Sequence, residues 1–410
     1  MTVEDGLPVY VGLDWAAEIH AVCVLDHAGY QLAAFTIKHS ADGIATLIGK
    51  LGRYGDPADV QVGIERPNGR LVDLLLEAGH PVVPVSPNAI KTWREGEVIS
   101  GAKSDVGDAA VIAEYLRLRN HRLRPVQPYS PQTKALRTVV RSRDDLVQMR
   151  VAATNQLDAL LDAHWPGAQA IFADTASAIS LAFLRRYPTA AAAAHLGHKR
   201  LAAFITKQGY SGRRPANVLL ARLRGAPAGT TDPALSTAVG DAVLAFVEVV
   251  AALNIAIKQL DTSLTARLGE HPDSKIFTSL PRSGQINAAQ VLAEWGDVRQ
   301  AYDGPDAIAA LAGVTPVTKE SGKRQHAVHF RWACNKRFRL ALTTFADNSR
   351  HASPWAADTY NRARARGHDH PHAVRILARA WVRVIYRCWH TDQPYNANLH
   401  GGALRLPIAA

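Results

Sequence analysis

Five side chains in this sequence are of types that can cut and join phosphodiesters. Asp14 and Glu65 each close a short apolar run, and Asp105 and Asp108 stand three residues apart on one predicted helix, so they share a face. Converging carboxylates form a hard-oxygen site suited to Mg²⁺, and two such ions about 4 Å apart clamp a phosphodiester in line. Ser321 adds a hydroxyl that becomes a nucleophile when a base or a metal activates it.

Each acid also has a structural explanation, which is favoured when that acid is taken alone. Asp14 would be a turn residue at a strand end, and Asp105 and Asp108 would suit a helix start, where the helix dipole favours negative charge. However, Asp14 follows the apolar run VYVGL, where a buried carboxylate needs a partner or a metal. The four acids therefore leave a magnesium site open as the alternative to separate structural roles.

Ser321 lies in the segment KESGKR, which we interpret as a short loop with a glycine beside the serine. Glycine permits close backbone approach, and Lys319, Lys323 and Arg324 would hold a phosphate next to the hydroxyl. On local sequence alone, a solvated basic turn is the favoured alternative. The rival serine, Ser283, precedes a predicted helix and suits a cap or a backbone contact to DNA.

Basic residues along the chain are candidates for contacts to a nucleic-acid backbone. Such clusters also form solvated faces, and the two interpretations are about equally favoured. The residues predicted to contact nucleic acid are Lys103, Arg137, Arg141, Lys319, Lys323, Arg324, Lys336 and Arg337, with Trp332 and Phe338 as stacking candidates.

The composition narrows the class of protein. The 410 residues suffice for two or three domains, and 47% of them are hydrophobic against 20% charged, a balance typical of folded chains. Lysine and arginine number 47 against 36 acids, and the net charge of +11 favours a polyanionic partner. The three cysteines form no CxxC pair, which argues against a disulfide framework or a zinc knuckle.

The sequence also bears on the compartment. The amino terminus, MTVEDGLPVYVGLDW, lacks the basic-then-apolar order of a signal peptide. No run of 18 uninterrupted apolar residues predicts a membrane span. We therefore expect a cytoplasmic protein without a membrane partner.

Hydrophobic patterning predicts the elements that position the acids. Runs at Val9 to Leu13, Ala21 to Leu25 and Gln31 to Ile37 predict three strands of an antiparallel meander. Helices then alternate with strands at Val60 to Ile64 and Val82 to Val85, as βαβ-type crossovers. This order predicts an α/β domain with a ribonuclease-H-like sheet.

The rest of the chain is predicted to be mostly helical. A helix over Asp105 to Arg119 and a proline-rich connector precede one long helix, Thr133 to His164, of about 45 Å. A second long helix, about Leu235 to Leu268, is predicted to lie antiparallel to the first as a coiled-coil-like arm. The last region ends in a helical tail. The predicted boundaries are 1–128, 129–268 and 269–395, with a tail at 396–410.

Six motifs in a fixed order resemble those of one known family. They are VGLDWA around Asp14, GIERPNG around Glu65, GAKSDVGDAAVIAEYL around Asp105 and Asp108, LRTVVRSRDDLV in the first long helix, SLPRSGQINAAQVLAEWGD, and LAGVTPVTKESGKRQ around Ser321. Over about residues 9 to 390 the chain resembles the DEDD-type transposases of bacterial insertion sequences, the bridge-RNA-guided recombinases.

The resemblance implies a role for each part. An amino-terminal RuvC-like domain would bind Mg²⁺, with two ions expected, through Asp14, Glu65, Asp105 and Asp108. The helical arm would serve dimerisation and RNA binding, and a carboxy-terminal transposase domain would carry the nucleophile Ser321. Because the acids and the serine belong to different domains, the site would be completed across subunits.

The resemblance also implies the partners. A structured bridge RNA pairs with donor and target DNA, so base pairing selects the sequence, as in other RNA-guided enzymes. The serine attacks the DNA backbone, a phosphoserine keeps the bond energy, and strands exchange through a branched junction. A homo-oligomer is implied, a dimer that becomes a tetramer in the active complex, in the bacterial cytoplasm at the nucleoid.

One residue departs from the family pattern, since SLPRSG has Arg282 where the family usually shows a glycine. A side chain there would change how tightly the turn approaches DNA.

Three other functions compete with this interpretation. A RuvC-type hydrolytic nuclease or junction resolvase would use the four acids and leave Ser321 as a DNA contact. A binding protein without catalysis is disfavoured because all five residues are present. An actin-like ATPase or sugar kinase shares the opening strands but needs glycine-rich phosphate turns, and the stretch WAAEIHAV after Asp14 offers none.

Overall fold

A computed structural model describes residues 6–97, 105–321 and 324–399, without the side chains of residues 97, 105, 319–321 and 324–328. The chain divides into two compact units. One comprises Met1–Tyr129 with Val298–Ala301, and the other comprises Ser130–Asp297 with Tyr302–Ala410. We call them the sheet unit and the helical unit.

The sheet unit contains one mixed sheet and four helices in its described part. In chain order its elements are β1 (Val9–Asp14), β2 (Ile19–Leu25), β3 (Gln31–Lys38), α1 (Ala41–Leu51), β4 (Val60–Ile64), α2 (Arg70–Glu77), β5 (Val82–Pro84), α3 (Pro87–Glu97) and α4 (Asp105–Arg119). The strand order is β3-β2-β1-β4-β5, with β1, β2 and β3 antiparallel, β4 parallel to β1 and β5 parallel to β4. The predicted meander and crossover strands are confirmed.

Both faces of this sheet are covered because successive side chains of a strand point to opposite faces. Val22 and Val24 of β2 belong to the core formed with α1 and α2. Ala21 and Cys23 point the other way and pack with Ala109 of α4. Burial raises the pKa of the Cys23 thiol to about 11, so this thiol stays protonated and unreactive near neutral pH.

The helical unit opens with two long helices and four short ones between them. In chain order they are α5 (Pro131–His164), α6 (Pro166–Ile171), α7 (Ala178–Arg186), α8 (His198–Lys207), α9 (Ala216–Gly225) and α10 (Pro233–Glu270). Arg143 donates to Asp261 at 2.5 Å and Arg150 donates to Asn254 at 3.2 Å, so early residues of α5 meet late residues of α10. The predicted antiparallel pairing of the long helices is confirmed.

The carboxy-terminal part of this unit is helical apart from one hairpin. Its elements are α11 (Ser274–Thr278), α12 (Gly284–Trp295), α13 (Pro305–Leu311), β6 (Val317–Ser321), β7 (Arg324–His329), α14 (Lys336–Ser349), α15 (Pro354–Ala365) and α16 (His370–His390). The strands β6 and β7 pair only with each other, antiparallel, within the described chain. Trp381 and Trp389 of α16 are fully buried, so the tail helix packs into the unit.

The two long helices join two hydrophobic cores. One core unites Leu136 and Leu264 with α12, α14 and α16, and the other unites Leu157 and Val243 with the short helices α6 to α9. Between the cores lies a stretch that we call the waist, residues 143–152 of α5 and 249–261 of α10. Exposed apolar side chains of the waist are Met149 (58%), Val151 (45%), Val249 (50%) and Ile255 (61%).

One described helix, α10, is long and apolar enough to cross a membrane by length and composition. Its residues Val243, Val247 and Val250 are fully buried within the helical unit. Only 28% of its most apolar stretch is buried, so α10 has one packed face and exposed apolar side chains elsewhere.

Candidate active site

Two predicted acids meet at one edge of the sheet. Asp14 is the last residue of β1, and Glu65 directly follows β4. The two strands are parallel and pair Leu13 with Ile64, so the next residue on each strand is an acid. Neighbouring strands lie about 4.8 Å apart, which places the two half-buried residues side by side.

The helix α4 brings Asp108 to the same edge. A Cβ atom on Gly12 would lie 1.9 Å from the carbonyl oxygen of Ala109, so α4 lies directly on β1 only because residue 12 is a glycine. At the far end of α4, Asn120 donates to the Tyr10 hydroxyl at 3.5 Å. The helix therefore runs opposite to β1, and its first turn, with Asp108, lies where β1 ends.

Asp108 has a partner that the sequence interpretation missed. The Arg94 guanidinium of α3 donates to Asp108 Oδ1, and both side chains are largely buried. The helix α3 itself was not predicted, because PNAIKTWREGE is mostly polar and has few apolar residues to mark it. If α3 had been predicted, Arg94 in its last turn would have been the sequence signal for a partner of Asp108.

The predicted Mg²⁺ site at the sheet edge with Asp14 and Glu65 stays a prediction. Within residues 6–97, 105–321 and 324–399, no group of three or more His, Cys, Asp or Glu side chains is placed to hold a metal ion. Asp105 begins α4, but its side chain lies outside the description, and Lys103 lies outside it altogether. Carboxylate oxygens are the donors that Mg²⁺ takes, so the chemistry of Asp14, Glu65 and Asp108 fits that ion.

Aromatic and basic residues surround the turn that follows Asp14. The Arg66 guanidinium lies 4.3 Å from the centre of the Trp15 ring. His20 Nδ1 accepts a hydrogen bond from the Ala16 amide at 3.1 Å, and His20 Nε2 lies 2.8 Å from His39 Nδ1. Burial and the nearby His39 lower the pKa of His20, so a neutral imidazole holds this turn.

Ser321 is the last residue of β6, and its backbone pairs with Arg324 of β7. The interpretation of KESGKR as a short loop is therefore wrong for its arms, which are strands of a hairpin. Few apolar residues mark these strands, so alternation was not visible in the sequence. Lys323 lies outside the described residues, and so do the side chains of Lys319, Ser321 and Arg324.

The rival serine, Ser283, lies in the turn between α11 and α12. Its side chain is only 4% exposed, and its Oγ is a buried atom without a hydrogen-bond partner among the described residues. The preceding residue, Arg282, has a φ angle of +57°. That left-handed conformation favours glycine, which gives a physical reason for the glycine usual at this position in the resembling family.

Two predicted nucleic-acid contacts make ion pairs inside the helical unit. Arg137 and Arg141 donate to Glu294 at 3.2 Å and 2.8 Å, and Asn335 donates to the same carboxylate at 2.7 Å. Glu294 is 2% exposed. Burial alone would raise the pKa of this carboxyl, but Arg141, Arg137 and Asn335 together lower it below its ordinary value.

The other predicted contacts differ in their surroundings. Arg337 donates to Asp145 at 2.7 Å and to the Arg141 carbonyl at 3.2 Å, whereas Lys336 is exposed at the start of α14. Phe338 is fully buried in the core, so its assignment as a stacking residue is wrong. Trp332 is 77% exposed and stays a stacking candidate.

Comparison with known proteins covers nearly the whole chain. A family model described as transposase, of the DEDD type and named for IS110, matches residues 11–166, and a model of the IS116/IS110/IS902 transposase family matches residues 274–361. A Streptomyces coelicolor protein, named as the inferred mini-circle transposase for IS117, is 32% identical over 402 residues, which are 96% of each chain. A 42 kDa protein of insertion element IS900 from Mycobacterium paratuberculosis is 26% identical over 95% of this chain and 97% of its own length.

Proposed function

Because the chain belongs to the DEDD-type IS110 family of insertion-sequence transposases, we propose that it cuts and exchanges strands of donor and target DNA under the guidance of a structured bridge RNA. A transposase is a DNA-modifying enzyme. The proposal adds Mg²⁺ as cofactor, Ser321 as nucleophile and the bacterial cytoplasm, at the nucleoid, as the place of action.

The adjacency of Asp14 and Glu65 at one sheet edge, with the first turn of α4 packed over β1, carries this proposal. The register of β1 with β4 aligns Asp14 with Glu65, and the glycine contact at residue 12 brings the first turn of α4 to them. A sheet that presents carboxylates from neighbouring strands and a covering helix supports a ribonuclease-H-like, RuvC-type assignment.

In this proposal Asp14, Glu65, Asp105 and Asp108 hold Mg²⁺, two ions being expected. When bound, such ions polarise a phosphodiester and neutralise charge that builds up on its oxygens. Arg94 would release Asp108 for this role. Until then the guanidinium keeps a largely buried carboxylate neutralised, which lowers the cost of burying it.

Ser321 acts on the phosphodiester. Its oxygen bonds to the phosphorus, the bond from phosphorus to one deoxyribose oxygen breaks, and that sugar leaves as a free hydroxyl that has taken up the serine proton. A hydroxyl of the other strand then attacks the phosphoserine and restores the serine. No bond energy is lost between the two steps, so strands are exchanged without an external energy source.

The long helices support the proposed roles of the arm in dimerisation and RNA binding. Met149, Val151, Val249 and Ile255 are four exposed apolar side chains on the waist, which a second chain would cover. We propose that a second copy covers it as a coiled-coil-like dimer, with a tetramer in the active complex. Sedimentation velocity measures this directly, and a chain that stays monomeric at high concentration contradicts it.

A denaturant-resistant protein–DNA adduct tests the proposed chemistry. We would incubate the purified chain with its element-encoded RNA, Mg²⁺ and labelled donor and target DNA. The adduct is expected with the native chain, and it should be lost in Ser321→Ala, in Asp108→Asn and without RNA. Ser283→Ala is the matched control, because that buried serine should be dispensable for the adduct.

The alternative function makes the opposite prediction. A RuvC-type hydrolytic nuclease or junction resolvase would leave free DNA ends and no adduct, and Ser321→Ala would cut as fast as the native chain. An adduct that persists in Ser321→Ala would show that another residue is the nucleophile.

A further inference from the structure

A basic cleft lies at the base of the hairpin formed by β6 and β7. It opens between the hairpin and α16 and has a volume of about 400 Å³. The lining residues that carry a charge or a ring are His329, Phe330, Arg331, His372, Arg375 and Arg379. None of the described residues that line it is an aspartate or a glutamate, so the cleft is positively charged.

Two guanidinium groups share one aromatic ring beside this cleft. Arg339 lies 4.4 Å and Arg375 4.9 Å from the centre of the Phe330 ring. Burial lowers the pKa of Arg375, Asp369 opposes this shift, and Arg339 lowers the pKa further. Two cations held this close by a ring rather than by a carboxylate favour the arrival of an anion.

Buried donors at this place lack acceptors. The Nε atom of Arg379, which lines the cleft, is buried and has no hydrogen-bond partner within the described part of the chain. The Nε atom of Arg339, which lies beside the cleft, is also buried without a partner, although Nη2 of Arg339 donates to the Arg331 carbonyl. Nη2 of Arg379 lies 3.4 Å from Asp306, but that exposed carboxylate also lies 3.5 Å from Arg383. A buried N–H without an acceptor is costly, so a ligand with several acceptor oxygens suits the cleft.

An exposed ring stands next to the cleft. Trp332 is 77% exposed, and its ring meets the edge of Phe330 at 4.9 Å between centroids. An indole in this setting can stack on an unpaired base, as in proteins that bind single strands. A phosphate pocket beside a stacking ring matches one nucleotide of a single strand.

We propose that this cleft binds a backbone phosphate of the DNA strand that Ser321 attacks, with Arg375 and Arg379 as its ligands and Trp332 stacked on the neighbouring base. The inference rests on the proposed function of Ser321. The cleft lies at the Val317 end of β6 and Ser321 at the other end, about 13 Å away along an extended strand. The bound phosphate is therefore a few nucleotides from the attacked one.

Strand binding without cleavage tests the cleft independently of the serine. The probe is a labelled single-stranded DNA of about 12 nucleotides, long enough to span the cleft and the serine. Fluorescence anisotropy measures its affinity for the chain at several salt concentrations. Arg375→Ala should bind about tenfold more weakly, and the slope of log affinity against log salt should fall by about 0.7, the value for one lost phosphate contact on a single strand. Trp332→Ala should lose about tenfold in affinity with an unchanged slope, because stacking releases no counterion.

A matched control lies on the same helix. Arg387 is an exposed arginine of α16, 12 residues and about 18 Å beyond Arg375, and Arg387→Ala should bind like the native chain. If Arg375→Ala unfolds, the exposed Trp332→Ala still tests the stacking half of the site.

The outcomes separate this inference from the proposed function. The proposed phosphate site would be wrong if Arg375→Ala kept the native affinity and salt slope. It would also be wrong if Arg387→Ala lost as much affinity as Arg375→Ala. A loss seen only with an RNA strand of the same sequence would overturn its assignment to DNA. If the native chain forms no adduct but Arg375→Ala still weakens DNA binding, the serine chemistry fails while the cleft stands.

Discussion

The two units hold their functional side chains by different means. In the sheet unit the backbone does so, because the register of β1 with β4 and the contact at Gly12 determine where Asp14, Glu65 and Asp108 lie. In the helical unit side chains do so, because the buried carboxylate of Glu294 gathers cations from α5.

This difference shows why basic residues cannot be assigned to nucleic acid by counting them. The arginines around Glu294 are neutralised inside the fold, whereas those around Phe330 are paired with a ring and keep their charge for a ligand. The same residue type therefore stabilises one part of the unit and charges another. Three substitutions test the contrast, and the largest effect is expected in the sheet unit.

Gly12→Ala should have the largest effect. The new Cβ would meet the Ala109 carbonyl oxygen at 1.9 Å, so α4 must move off β1, at a cost of about 3 kcal/mol in the free energy of unfolding. Asp108 moves with α4, so adduct formation should fall as well. Urea unfolding and the adduct assay measure the two effects.

The control for this substitution is another glycine of the same unit. Gly49 lies in α1, and a Cβ atom added there would meet nothing within 4 Å, so Gly49→Ala should stabilise the chain by about 0.5 kcal/mol. Equal unfolding midpoints for the two variants would show that the glycine contact does not position α4.

Glu294→Ala should lower the free energy of unfolding by about 2 kcal/mol, because it leaves two partly buried cations without their carboxylate. The matched control is Glu248→Ala, which removes an exposed carboxylate from its pair with Arg185 and should leave the urea midpoint unchanged. If both variants unfold alike, the ion pairs do not hold the helical unit together.

The same residue predicts a dependence on pH. Its pKa is lower in the folded chain than in the unfolded chain, so the unfolded chain binds more protons as the pH falls. The stability that Glu294 contributes is present above its ordinary pKa and is lost as the pH falls through the folded value. The gap in unfolding free energy between the native chain and Glu294→Gln should therefore be constant near neutral pH and shrink as the pH falls below the ordinary glutamate pKa of 4.5. A gap that stays constant as the pH falls would contradict the lowered pKa.

Arg282→Gly should have the smallest effect and the opposite sign. Relief of the left-handed backbone contributes about 1 kcal/mol, and the extra freedom of glycine in the unfolded chain offsets about half of it. The matched control is Arg366→Gly, an exposed arginine with an ordinary φ of −79°, which should destabilise. Thermal unfolding distinguishes the signs, and destabilisation by both would show that Arg282 is not strained.

The sequence predicted most of the sheet unit because its signals are local. Apolar runs marked the strands, and Asp14 and Glu65 could be placed because each closes such a run. The ion pair between Arg94 and Asp108 was not predicted, because Arg94 lies in a helix with few apolar residues. The metal, the guide RNA and the serine step stay predictions.

The helical unit was less predictable because its decisive contacts are distant in sequence. Glu294 meets Arg141 across 153 residues and Arg137 across 157, and no local pattern reports such a pair. The hairpin was taken for a loop because its strands contain few apolar residues, so the sequence shows no alternation there. The aromatic Phe338 looked like a base-stacking residue, but three-dimensional packing places it in the core.

The waist joins two hydrophobic cores by the long helices, so a bend there would move one core relative to the other. The helix α10 has 38 residues and is about 57 Å long, and it carries a separate hydrophobic body at each end. A rotation of about 10° at one body would displace the other by about 10 Å, given that length. A ligand that binds the short helices and bends the long ones would therefore move the hairpin with Ser321 by about the length of several nucleotides. The chemistry of the serine would stay the same.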